Sequence, residues 1–138
     1  MSTDKGTFVD LVLNLPSGFT LDDDTRDEEL SNFGTRSVEH FRSYNDAGGQ
    51  RLLFFAWDGM PLHDRGPMVA AEKWKVRIDS VEANVSRTSL FFGRKQEVLV
   101  AHFKGPSPAR RQYMIYTTRV DKAAFDALLA GIRFSPTD

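Results

Sequence analysis

The stretch Pro67-Met68-Val69-Ala70-Ala71-Glu72-Lys73-Trp74-Lys75-Val76-Arg77-Ile78-Asp79-Ser80-Val81 can be wound or extended, and the choice sets how many helices the fold contains. Wound, it brings Met68, Ala71, Trp74, Ile78 and Val81 onto one apolar stripe at helical spacing. Pro67 suits the first turn of such a helix, where the N–H that proline lacks would have no partner. Extended, Trp74, Val76 and Ile78 alternate with Lys75, Arg77 and Asp79. The stripe runs longer than the alternation, so 67–81 is read as a helix.

Downstream, the chain from Thr88 to Phe134 carries strand patterns followed by one closing helix. Arg87–Phe92 and Gln96–Phe103 flank the turn residues Gly93-Arg94-Lys95, and Gln112–Thr118 resumes after Pro106 and Pro108. These runs are rich in β-branched and aromatic residues, which fit a pleated, half-buried surface. From Asp121 to Ala130 the pattern becomes helical. Asp121 is a natural N-cap, Ala124 or Phe125 together with Leu128, Leu129 and Ile132 form one stripe, and Gly131 stands where a C-terminal cap belongs.

Upstream, Val9, Leu11, Leu13 and Leu15 alternate with Asp10, Val12 and Asn14, the period of a strand with one buried face. Pro16-Ser17-Gly18 turns the chain. Asp22–Glu29 concentrates six carboxylates in eight residues, a self-repelling block expected to stay solvated, with Asp24 capping a short helical turn near Leu30. A hairpin follows: Ser37–Tyr44 and Gln50–Asp58 flank Asn45-Asp46-Ala47-Gly48-Gly49. Its second arm, Leu52-Leu53-Phe54-Phe55-Ala56-Trp57, is apolar on both faces and belongs in the sheet interior. Gly59–Gly66 is a loop. The fold expected from these readings is α+β: one domain over 1–138, a single mostly antiparallel sheet of six to seven strands, and two main helices packed on it.

Composition narrows the function classes. A chain of 138 residues buries a core without staples, and the absence of cysteine removes disulfide frameworks and thiolate metal sites. No apolar run approaches the roughly 18 residues of a membrane span, and the first residues lack a basic, then apolar, leader. A cytoplasmic protein without membrane contact is the expectation. Residues 1–69 carry a net charge of −6 and residues 70–138 one of +5. The simplest expectation is that the two halves interleave in space and their charges mix.

The stretches VLNLPSGFTL (12–21) and YMIYTTRVDKAAFDALLAGIRF (113–134) carry a resemblance to the PsbP-like fold family. That family includes a photosystem II extrinsic protein and chaperones that dock type VI secretion effectors. The matching features are Leu15-Pro16-Ser17-Gly18-Phe19 after an early strand, Phe125-Asp126-Ala127-Leu128-Leu129 in the closing helix, and an aromatic tail at Phe134. The resemblance implies a fold; no functional residue is carried over from it.

Chemistry-bearing residues are sparse. His40, His63 and His102 lie in separate segments without metal-ligand spacing, so neither a metal nor any other cofactor is expected. His102 shares a strand face with Val98 and Val100, where a hydrogen-bonded structural role is the plain reading. His63-Asp64-Arg65 is the one loop that offers an imidazole beside a carboxylate, but no serine or threonine has a nucleophile context. Leu90–Lys95 and Arg110-Arg111 mix aromatics and cations, while a pI of 6.3 argues against a nucleic-acid partner.

The expectation is therefore a non-enzymatic protein-binding domain. Its candidate residues are Asp22, Asp23, Asp24, Glu28, Glu29, His63, Asp64 and Arg65, presented to a basic surface of a protein partner. Neutralising a cognate toxin as an immunity protein is the leading role and escorting a secreted effector the alternative. A small-molecule or lipid cleft between the sheet and helix 67–81, lined by Trp57, Trp74 and Tyr113, is the competing class. The sequence leaves the oligomeric state open.

Overall fold

The computed structural model describes residues 5–15, 17–30, 36–58, 68–91, 95–106, 111–118 and 121–134, and those residues form ten strands and one helix. In chain order they are β1 (Lys5–Phe8), β2 (Leu11–Asn14), β3 (Thr20–Leu30), β4 (Arg36–Asn45), β5 (Arg51–Asp58), β6 (Met68–Ile78), β7 (Val81–Phe91), β8 (Lys95–Lys104), β9 (Gln112–Thr118), α1 (Lys122–Ala130) and β10 (Arg133–Phe134). Seven strands make one antiparallel sheet in the order β3-β4-β5-β9-β8-β7-β6, and β1-β2-β10 make a second, three-stranded sheet. The architecture is mostly β, with a single helix. The α+β expectation with two main helices is overturned.

The reversal falls on 67–81. Ile78 pairs with Val81 across the two residues Asp79-Ser80, and the ladder continues through Trp74 opposite Val85 to Met68 opposite Leu90. Asp79 takes the positive φ of 51° that this tight connection needs, a conformation aspartate tolerates better than most residues. Its carboxylate accepts from the backbone N–H of Phe134 at 3.0 Å, tying the turn to β10. The alternating pattern is the one realised: Ile78 is buried and Trp74 and Val76 pack on the core, while Lys73, Lys75 and Arg77 face solvent. Pairing along β7 from Val81 to Leu90 outweighs the local helical stripe.

Two other expectations change. The acidic run is strand β3 at the edge of the sheet, not a helical turn, and its described side chains from Asp22 to Arg26 are solvated as expected. An edge strand has solvent beside it, so carboxylates there are tolerated and discourage self-pairing. The strand expected over Val9–Leu15 is realised over Leu11–Asn14 with the expected alternation, Leu11 and Leu13 buried and Val12 and Asn14 exposed, but it begins two residues later because Val9 adopts a φ of 57° and turns the chain from β1 into β2 as a hairpin. The 45–49 turn, strand β9 and the capped helix occur where the sequence places them. The Asp121 carboxylate accepts from the Ala124 N–H at 2.8 Å, and the Gly131 N–H closes on Ala127 and Leu128. Gly18 supplies the positive φ of 97° expected of the first turn.

One face of the large sheet carries the main core. β1, β2, β10 and α1 lie over it and bury Phe8, Leu11, Leu13, Phe125, Leu129 and Ile132 against Phe54, Ile78, Val85, Ala101, Tyr113 and Ile115. The helix is fastened to β6 by Trp74, whose Nε1–H donates to Asp126 at 2.8 Å while the Lys122 ammonium sits 4.5 Å above its ring. The opposite face carries a second cluster of Val98, Val100 and Tyr116 with Leu53, Phe55 and Met114. Phe55 joins it to Phe41 and Tyr116 at ring separations of 4.9 and 5.5 Å. No helix among the described residues is long and apolar enough to cross a membrane.

Candidate functional site

The strand order keeps the charged halves of the chain apart. β3, at one end of the sheet, carries six carboxylates and one arginine; β6, at the other, carries Lys73, Lys75 and Arg77 against Glu72. Only β9 of the second half inserts beside the first-half strands, so the expected mixing of charges does not occur along the sheet.

At the acidic end, a bulge between Leu21 and Asp23 gives β3 one extra residue, and Asp22 uses it to accept from the Ser43 hydroxyl at 3.2 Å. Asp23 accepts from the Asp24 N–H at 2.8 Å, and Asp24 pairs with Arg42 at 3.1 Å. Arg42 also donates to the Tyr44 hydroxyl and lies 5.5 Å over the Phe8 ring. Asp22 and Asp24 therefore hold the edge strand in register and are only partly available to a partner. Glu28 and Glu29 lie further along the same strand, opposite Val38 and Ser37. His63, Asp64 and Arg65 fall outside the described residues. The edge also presents Leu21, which is 52% exposed, and among the described residues no strand pairs with its outer side.

A second locus was hidden by the helical reading of 67–81. On the face of the second cluster, an open cleft of about 530 Å³ lies across β6, β7, β8 and β9, lined among others by Lys73, Lys75, Asn84, Val100, His102 and Met114. A groove lined by Lys104, Pro106 and Glu82 continues from it past Asn84 and His102. His102 stacks on Trp57 at 6.0 Å and shares a 3.0 Å hydrogen bond with Gln112, which fixes its ring in the wall. The signal for this locus was the alternation of the extended reading, which puts Lys75 on the face opposite Trp74, Val76 and Ile78; Lys73 continues that face two residues upstream. The three aromatics once grouped as a single lining are dispersed: Trp57 faces the second cluster, Tyr113 lies in the main core, and Trp74 bonds to the helix while bordering the cleft.

A third polar cluster joins the sheets. Arg111 clasps Asp58 with Nε and Nη2 at 3.0 to 3.2 Å and reaches Asp10 with Nη1 at 2.6 Å. Burial works against the guanidinium charge, but the hydrogen bonds and charges of Asp58 and Asp10 hold its pKa above the ordinary arginine value. Burial, and then the Asp10 carboxylate, push the Tyr113 hydroxyl up to about 12, so it stays protonated and donates to Asp10 at 3.4 Å. Arg111 is thereby committed within the fold and is not a free nucleic-acid contact.

Nearby, burial and then the charges of Arg111 and Arg26 lower the His40 pKa below its usual 6.5, with Asp58 and Asp24 acting the other way. The unfolded chain then binds the His40 proton more readily than the native one, so this group costs stability as pH falls below about 6.5. Replacing His40 by Asn should flatten the fall in melting temperature between pH 7 and 5.5; an unchanged slope would assign the acid sensitivity to other groups.

No protein-family model matches the chain, no curated protein matches its sequence, and no solved structure matches its fold.

Proposed function

We propose that this is a non-enzymatic protein-binding domain that acts in the cytoplasm as an immunity protein, pairing the outer edge of β3 with a basic, extended segment of a cognate toxin. The observation that carries the reading is the eleven-residue edge strand itself, with the described side chains from Thr20 to Arg26 exposed and Leu21 among them. A sheet edge offers a row of backbone donors and acceptors, which gives affinity, and the side chains select the partner. Two copies meeting β3 to β3 would oppose carboxylates, whereas a lysine- and arginine-rich strand would meet them with opposite charge. Such complementarity speeds encounter and weakens as salt rises. The resemblance to the PsbP-like family, which includes effector-docking chaperones, is compatible with a protein-binding role and rests on the two stretches quoted above.

The test begins with a partner that co-purifies at equal stoichiometry in low salt. If it is toxic alone and harmless with this protein, and if reversing Asp23, Glu28 and Glu29 to lysine slows association at least tenfold while the melting curve stays intact, the reading stands. Undiminished binding by the reversed variant overturns the β3 edge. A harmless partner that needs this protein to stay soluble replaces immunity with escort, and the absence of any stoichiometric partner removes the protein-binding reading.

A further inference from the structure

The antiparallel register lines up two transverse rows of side chains on the face opposite α1. One row runs Lys75, Asn84, His102, Met114, Phe55; the other runs Lys73, Ser86, Val100, Tyr116, Leu53. Each row passes from a cation on the edge strand, through Asn84 and His102 in one and Ser86 in the other, to the apolar second cluster. Neighbouring strands are about 4.8 Å apart, so the row from Lys73 to Tyr116 spans roughly 14 Å. The cleft lies over the charged end of both rows, no carboxylate among the described residues lines it, and Val100 and Met114 form its apolar side. Lys75 is held only loosely, by Glu82 at 3.6 Å with both side chains more than half exposed. Ser86 is occupied by its hydroxyl contact with Thr88. The Lys73 ammonium and the Asn84 amide have no side-chain hydrogen bond or ion pair to another described residue, which leaves them free to meet a ligand.

We propose that this cleft binds a small amphipathic anion, a carboxylate with an unbranched apolar body. The carboxylate sits between Lys73, Lys75 and the Asn84 amide, and the apolar body lies along Val100 and Met114. The volume falls within the usual range of small-molecule sites, and the order of groups follows the rule that a mainly apolar wall with a few polar groups fixes orientation. A compact hydrophilic anion would leave the apolar side unused, and a neutral chain would leave the Lys73 ammonium without a counter-charge.

The probe is decanoate, kept below its aggregation concentration, with decanol and acetate as controls. Backbone amide shifts are followed across the protein and tryptophan fluorescence is read in parallel, since Trp74 borders the cleft and Trp57 stacks on its His102 wall. Decanoate should bind saturably at one site, shift amides of β6, β7 and β8, and weaken at least tenfold in K73A/K75A, a surface variant whose melting temperature should match the parent. Decanol binding as tightly as decanoate, unchanged affinity in the double variant, or shifts confined to other strands would each overturn the proposal. Acetate shifting the same amides at the same concentrations would reduce the cleft to a simple anion site and overturn the amphipathic assignment.

Discussion

Phe54→Ala should cost about 3 to 5 kcal/mol, the range for removing a fully buried aromatic ring. Phe54 is 0% exposed and lies opposite Ile115 and Arg42 in the large sheet. Its ring meets Phe8 of β1 and Tyr44 of β4, each at 5.7 Å, the second edge-on. The side chain is therefore a joint between the two sheets, and its loss opens a cavity that neither sheet can close without giving up its own ladder. Against a total of roughly 5 to 15 kcal/mol for a domain, this is a large share. Urea unfolding should show a lower midpoint with the slope preserved. Phe54→Leu, which refills most of the volume, should recover more than half of the loss, and Val12→Ala, at a position 40% exposed, should cost little. A loss below about 1 kcal/mol for Phe54→Ala would mean that β1 does not pack on β5 as described.

The parts of this fold that were legible are those whose signals are local. Asp121 caps α1 with its own carboxylate, Gly131 ends it, and β9 follows from a run of aromatic and β-branched residues preceded by Pro106 and Pro108. The parts that were not legible depend on what a segment meets. Met68–Ile78 satisfies both a helical and an alternating pattern, and only its ladder with β7, closed by Asp79 at positive φ, selects between them. Val9 turns the chain at a φ that a β-branched residue rarely adopts, so no sequence preference announces the β1–β2 hairpin. The acidic run was legible as charge but not as a strand, because self-repulsion argues against burial and says nothing against an edge. The candidate site divides in the same way. The carboxylates were found, yet the ties from Asp22 to Ser43 and from Asp24 to Arg42 needed the register, as did the convergence of Lys73 and Lys75 with His102, which stands 27 residues beyond Lys75 in the sequence.

Arg111→Met should cost about 2 to 3 kcal/mol, above an exposed ion pair and below a fully buried one. The placing follows from exposure: the Arg111 side chain is 21% accessible and its partners Asp10 and Asp58 are 32% and 36% accessible. Asp10 stands in the turn between β1 and β2, Asp58 ends β5, and Arg111 lies just before β9, so one guanidinium fastens the small sheet to two adjacent strands of the large one. Removing it leaves two carboxylates near each other with no cation between them. For a chain of this length the melting temperature should fall by roughly 6 to 12 °C. Arg111→Lys should recover only part of the loss, because an ammonium cannot bind one carboxylate through two parallel N–H groups while reaching a second. The decisive comparison is the triple variant R111M/D10N/D58N. If the damage in R111M comes from stranded charge, the triple variant should be more stable than R111M itself, with its β1–β2 amides exchanging more slowly. If the triple variant is no better, the guanidinium acts through its packing and geometry, and the small sheet is held by Phe8, Leu11 and Leu13 rather than by the ion cluster.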